Sequence, residues 1–124
     1  MNLLAVFVGG GLGSLARYGL GILFNNLSAN TFPFGTLAVN TISSLIIGIL
    51  MGIGLTGKET TDSVWKTFLA VGFCGGFSTF SAFSLETMEL AKNGMMTQAI
   101  LNVAANVVLC LAATAIGVWL AKGS

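Results

Sequence analysis

Residues 72–84 read GFCGGFSTFSAFS and lie in the middle of the third long apolar segment of the chain. Gly75 and Gly76 disfavour a continuous helix, and the hydroxyl side chains that follow them can cap a helix that restarts. No water reaches freed backbone groups inside a bilayer, so such a break is typical of an ion or substrate site. Its bare carbonyl oxygens would suit a hard cation. The alternative is that the glycines only allow two helices to approach closely.

The composition is that of a membrane protein. Of the 124 residues 55% are hydrophobic and 7% are charged, and the mean hydropathy is +0.93, whereas soluble domains are about one quarter charged. The net charge of +1 without a basic cluster argues against nucleic acid as a partner, and no His is present for acid-base chemistry. We expect one all-α integral membrane domain in the cell (inner) membrane, in contact with lipid, and not an enzyme.

Four apolar segments are long enough to cross a hydrocarbon core of about 30 Å. They cover about residues 3–24, 35–55, 67–90 and 97–120, and the third is broken mid-membrane by the stretch quoted above. Faces for close helix packing are predicted at three Gly-x-x-x-Gly pairs: Gly9 and Gly13, Gly48 and Gly52, Gly72 and Gly76. Four short helices enclose a path with difficulty, so we infer a homodimer with the path near its interface.

The charges outside the segments set the membrane orientation only weakly. Four spans place both termini on one side, together with Lys58, Lys66 and Lys122, and leave Lys92 and Arg17 for the other side. Three positive charges against one or two permit insertion in both directions, which is a dual topology. Arg17 lies near a helix end, where it either serves the function or extends to the interface.

The fourth segment carries a polar track, because Asn102, Asn106, Cys110 and Thr114 follow each other at intervals of four in an apolar helix. Polar side chains at this depth need neighbours or water. The second segment adds Asn40 on a face of small residues. Amides, hydroxyls and the positive edges of aromatic rings are neutral donors, and this set favours an anion. The candidate residues of the anion path are Asn40, Phe80, Ser81, Phe83, Asn106, Cys110 and Thr114.

Three motifs resemble the Fluc family of microbial fluoride channels. They are residues 75–86, GGFSTFSAFSLE, residues 35–40, GTLAVN, and residues 13–18, GSLARY. The resemblance covers all four segments, and it implies an antiparallel, dual-topology homodimer that exports fluoride passively along two pathways. It also implies a central sodium ion held by the backbone carbonyls of Gly75 and Ser78 of each subunit. Arg17 and Glu86 match the family as well, without an assigned role.

Two other functions are compatible with a small four-helix membrane protein. A proton-coupled exporter of cationic drugs needs a membrane carboxylate, typically in its first helix, and here Glu86 in the third segment is the only candidate. A structural subunit of a larger membrane complex would explain the glycines, but not the broken helix or the polar track.

Overall fold

The computed structural model describes residues 2–27, 32–53, 64 and 67–122, and in this part of the chain it contains helices and no β-strand. The helices, in chain order, are α1 (Asn2–Leu27), α2 (Phe34–Gly52), a π-helical segment (Thr67–Phe73), α3 (Cys74–Phe77), α4 (Phe80–Lys92) and α5 (Met96–Lys122). Lys58 and Lys66, on which the charge comparison depends, lie outside the described residues, as do residues 54 and 55 of the predicted second span.

Among the described residues, four stretches have the length and apolar character to cross a membrane: Asn2–Phe24, Phe34–Gly52, Thr67–Lys92 and Met96–Lys122. Their large apolar side chains mostly point outward, as Leu3, Phe7 and Leu111 do, while Ser43, Asn102 and Asn106 are buried. This distribution is the reverse of a soluble domain, in which polar side chains are mostly exposed. The fold is therefore an all-helical membrane domain.

The third segment is interrupted inside the stretch 72–84, as predicted, but the interruption follows the glycine pair. Ser78 and Thr79 are extended, with φ −80° and ψ 156° at Ser78 and φ −150° and ψ 120° at Thr79. Helix α4 restarts at Phe80 because the Thr79 hydroxyl accepts a hydrogen bond from the Ala82 N–H at 3.1 Å, which is an N-cap. The hydroxyl-rich part of the stretch therefore forms the break.

A tight turn joins α4 to α5. Gly94 has φ +80°, its N–H donates to the Ala91 carbonyl, and the Met95 N–H donates to the Leu90 carbonyl. These two bonds form a Schellman motif, which ends a helix at a residue in the left-handed conformation. The turn places α5 directly against α4 and returns the chain across the membrane.

The glycines bring helices together within one chain. Gly72 packs against Gly9 of α1, and Gly76 is so close to Gly10 that a side chain at position 76 would overlap the Gly10 carbonyl. Gly48 of α2 approaches the backbone of Thr114 in α5 in the same way. The predicted packing faces are thus occupied inside the subunit, so they do not supply the contact between two copies.

We expect Gly48→Val to reduce the yield and stability of the folded protein sharply. A Cβ at this position would lie 2.9 Å from the Thr114 Cα and closer still to its carbonyl oxygen, so the backbones of α2 and α5 must separate. We expect a loss of at least about 3 kcal/mol, the upper range for overpacking. Gly19→Val is the matched control, because nothing lies within 4 Å of a Cβ there. Equal thermal stability of both variants in detergent would contradict this packing.

Candidate functional site

The break in the third segment is held open by Asn40 of α2. The Thr79 N–H donates to Asn40 Oδ1 at 2.8 Å, and Asn40 Nδ2 donates to the Thr79 carbonyl at 3.1 Å. In a continuous helix the Thr79 N–H would instead donate to the carbonyl of Gly75, four residues earlier. The Asn40 side-chain amide pairs with both backbone groups of Thr79. The extended conformation therefore leaves neither of these groups without a hydrogen bond.

The carbonyl groups at the end of α3 differ in their partners. The Cys74 carbonyl accepts from the Ser78 N–H, the Ser78 hydroxyl and the Ser43 hydroxyl, at 3.1, 2.9 and 3.3 Å. The Gly76 carbonyl accepts from Arg17 Nε at 3.2 Å. Arg17 is therefore turned toward the break and does not extend to the interface. Its guanidinium satisfies a carbonyl that the interruption leaves without a helical partner.

Two carbonyl oxygens next to the break, those of Gly75 and Ser78, accept no hydrogen bond from the described part of the chain. Gly75 is exposed, and a Cβ there would meet nothing within 4 Å. The described residues contain no group of three or more His, Cys, Asp or Glu side chains that could hold a metal ion. A cation at this place would thus depend on backbone oxygen, the ligand type that hard cations prefer. Both oxygens fit that requirement.

A recess of about 280 Å³ opens beside the break. None of the residues that line it is charged, and the lining consists of Asn40, Ser44, Ser78, Thr79, Phe80, Phe83, Asn106, Val107 and Cys110. The rings of Phe80 and Phe83 lie with centroids 5.3 Å apart and planes inclined by 50°. Phe80 is 78% exposed on the single chain and Phe83 is half-buried. The rings therefore form one wall of a neutral recess and leave one side open.

The polar residues of α5 do not all face this recess. Asn106 and Cys110 line it, whereas Asn102 is buried behind Asn106 and Thr114 donates to the Ser44 carbonyl at 3.2 Å. Cys110 is a free thiol. Ser81, on the other side of the break, shares a hydrogen bond with the Thr79 hydroxyl at 3.3 Å. Five of the seven predicted path residues thus line the recess itself, and Ser81 and Thr114 do not.

The amide donors of the recess are already engaged within the chain. Asn40 Nδ2 donates to the Thr79 carbonyl and to Asn106 Oδ1, at 3.1 and 3.2 Å. Asn106 Nδ2 donates to the backbone and side-chain oxygens of Asn102, at 2.9 and 3.0 Å. A primary amide has two N–H hydrogens, so both are used in each residue. The polar groups that remain to face the opening of the recess are therefore hydroxyls, the Cys110 thiol and the edges of the aromatic rings.

Glu86 of α4 contacts α2 through a side-chain hydrogen bond with Thr36. Its Oε2 accepts from the Thr36 hydroxyl at 2.9 Å, and its Oε1 is buried without a hydrogen-bond partner in the described part of the chain. It does not line the recess. Arg17 of α1 accordingly contacts the third segment before the break, whereas Glu86 belongs to that segment beyond the break and contacts α2.

Sequence reasoning left three residues out of the site that the structure puts into it, Thr79, Ser44 and Val107. Thr79 stood out as a helix cap, but its contact with Asn40 joins residues 39 positions apart. Only the packing of α2 against the break reveals that pair. Ser44 lies four residues after Asn40 on the polar face of α2, and that spacing was a usable signal.

Known proteins resemble this chain along nearly its whole length. The family described as CrcB-like protein, Camphor Resistance (CrcB), matches residues 4–118. A protein of Escherichia coli O17:K52:H18 (strain UMN026 / ExPEC) named Fluoride-specific ion channel FluC is 46% identical over 123 residues, which are 98% of this chain and 94% of that protein. A protein of the same name from Coxiella burnetii (strain Dugway 5J108-111) is 42% identical over 122 residues, 98% of each.

Proposed function

This chain belongs to the CrcB family, whose relatives bear the name fluoride-specific ion channel, and from that premise we propose that it exports fluoride passively through the break region. It is a multi-pass protein of the cell membrane, and its family consists of channels and not of enzymes. The family assignment disfavours a cationic-drug exporter and a structural subunit.

The observation that carries the proposal is the neutral recess beside the extended residues Ser78 and Thr79. An ion conducts where binding is strong enough to replace its water and weak enough to release it. Fixed positive charge would hold fluoride too tightly, and none of the described residues that line this recess is charged. The rings of Phe80 and Phe83 offer positive edges, which attract an anion without trapping it.

We propose further that two chains assemble as an antiparallel homodimer, with one pathway along each of its two symmetric sides. The recess is open on one side, and Phe80 is exposed there, so a single chain does not enclose a path. The described charged residues give little bias to the membrane orientation, with Lys122 at one end and Lys92 at the other. Two copies inserted in opposite orientations could close the open side of the recess, and the small charge bias permits both orientations.

The central sodium ion is also part of this proposal. One chain offers two carbonyl oxygens, at Gly75 and Ser78, that have no hydrogen-bond partner among the described residues, and a hard cation takes more oxygen ligands than two. A second copy would supply the same pair. Sodium there would neutralise the carbonyl dipoles that the break leaves exposed. It would join the two subunits, while fluoride would pass along the separate neutral recess.

Fluoride efflux from proteoliposomes, compared with chloride efflux, tests the proposal. We expect rapid loss of fluoride and retention of chloride under a gradient of the halide alone. Efflux that appears only with a proton gradient and a cationic substrate would support the exporter. If neither halide leaves the vesicles, a structural subunit becomes the better account.

We expect sodium removal to abolish fluoride flux slowly. Gly75 and Ser78 would lie between two subunits, so exchange of the ion would require the dimer to open. Replacing sodium by a large organic cation on both sides of the membrane should leave the initial flux unchanged and reduce it over a long incubation. Loss and recovery within the mixing time would place the cation at an exposed site and contradict the buried position.

A further inference from the structure

A continuous chain of hydrogen bonds leads from the break to the Phe83 carbonyl of α4 through two side chains that line the recess and two that do not. Asn40 Nδ2 donates to Asn106 Oδ1, Asn106 Nδ2 donates to Asn102 Oδ1, and Asn102 Nδ2 donates to the Thr87 hydroxyl at 2.9 Å. The Thr87 hydroxyl then donates to the Phe83 carbonyl at 2.8 Å. We call this set of four side chains the amide relay.

We propose that Asn102 is a positioning residue for the anion path, because it joins Asn106 to Thr87 and so connects the two ends of the amide relay. Asn102 does not line the recess, and its side chain is only 1% exposed. It would act through Asn106 and Thr87 and not on the ion. This inference rests on the proposed channel function, and it concerns a residue that touches no part of the open recess.

The direction of the relay follows from its two ends, which are backbone groups. The Thr79 N–H can only donate and the Thr79 carbonyl can only accept, so the oxygen of Asn40 faces the former and its nitrogen the latter. At the other end the Phe83 carbonyl requires the Thr87 hydroxyl hydrogen, which leaves the hydroxyl oxygen to accept from Asn102. Each amide between these ends therefore has one permitted orientation.

Asn102 is the residue on which this arrangement depends most. Both its backbone carbonyl and its Oδ1 accept from Asn106 Nδ2, so two acceptors face the same nitrogen. Asn106 must then present its oxygen to Asn40. If Asn102 lost its amide, Asn106 Nδ2 would keep only the backbone carbonyl as acceptor, and the connection to the Thr87 hydroxyl would be lost, so neither Asn106 nor Thr87 would be held as firmly.

The relay ends at residues that face the recess. Asn40 holds the extended backbone of Thr79 at one end, and Thr87 contacts the backbone of Phe83 at the other. Asn102 is therefore connected to the break and to one ring of the recess at once. A buried side chain of α5 thus links Asn40 of α2, which holds the break, to the turn of α4 that carries Phe83, although it lies behind the recess wall.

Single-channel fluoride currents in planar bilayers test this role, because the current of one channel does not depend on how much protein folds. We expect Asn102→Leu, which has similar volume but no amide, to lower the unitary current about tenfold, the effect of one misplaced buried hydrogen bond. Thr87→Val should lower it less. The double variant should resemble Asn102→Leu alone, because residues of one network do not contribute independently.

Thr41→Val is the matched control. It removes a side-chain bond of 2.7 Å to the Leu37 carbonyl, on α2 next to Asn40 but outside the relay, and it should keep the wild-type current. A wild-type unitary current in Asn102→Leu with only a reduced yield would overturn the proposal, as would independent effects of the two substitutions. If Asn102→Leu does not fold, an unchanged current in Thr87→Val overturns it. A wild-type protein without fluoride current would instead refute the channel function.

Discussion

Phe80→Ile and Phe83→Ile should each slow fluoride flux severely while the protein still folds and assembles. Isoleucine keeps most of the apolar volume but has no ring edge to face an anion. The two rings, 5.3 Å apart, form one wall of the recess. We expect each substitution to lower flux by about tenfold to a hundredfold, as expected for losing a polar contact with a charged group. Fluoride efflux from proteoliposomes with equal protein content measures this effect.

Phe7→Ile is the control for these two variants. Phe7 has the same exposure as Phe80, 78%, but belongs to α1 and does not line the recess between the break and α5. Its substitution should leave the flux unchanged. Unaltered flux in both Phe80→Ile and Phe83→Ile would remove the rings from the pathway.

Asn40→Asp should be the most damaging single substitution in the recess. Aspartate retains an oxygen for the Thr79 N–H, but it cannot donate to the Thr79 carbonyl or to Asn106 Oδ1 when ionised. The Thr79 carbonyl and Asn106 Oδ1, which are both acceptors, would then face a carboxylate that has no hydrogen to donate. The charge also lies on the anion path, where it repels fluoride in surroundings of low dielectric constant. We expect a loss of more than about a hundredfold, the factor for a group worth about 3 kcal/mol.

The control is Asn93→Asp, which makes the same chemical change at an exposed position just after α4. Its flux should stay near that of the unaltered protein. Asn40→Leu separates the two causes, because it removes the hydrogen bonds of the break without adding a charge. A flux through Asn40→Asp equal to that of Asn40→Leu would show that charge repulsion contributes nothing at this position.

The membrane character and the existence of a break could be predicted because they depend on local properties of the chain. Apolar length identifies spans, and a glycine pair followed by hydroxyls identifies an interruption. The position of the break could not be predicted in the same way. Gly76 is needed for the approach to Gly10, while Thr79, one of the two extended residues, has both of its backbone groups satisfied by Asn40. Such a choice depends on tertiary contacts.

The residues of the site were easier to predict than their roles. A spacing of four placed Asn102 and Asn106 on one face of a helix, and Asn106 but not Asn102 was named as a candidate of the anion path. The structure separates them, because Asn106 lines the recess and Asn102 lies behind it. Whether an amide N–H is already hydrogen-bonded depends on its neighbours on other helices, and the spacing of residues in the sequence does not show those neighbours.

The reversal potential of the fluoride current tests the central claim most directly. In a planar bilayer with a tenfold fluoride gradient and a separate pH gradient, a passive fluoride channel should reverse at about 59 mV, the value for one charge. The potential should stay the same when the pH gradient is inverted or chloride is added. A reversal potential that follows the proton gradient, or that moves toward the chloride equilibrium, would contradict a selective and passive path for fluoride.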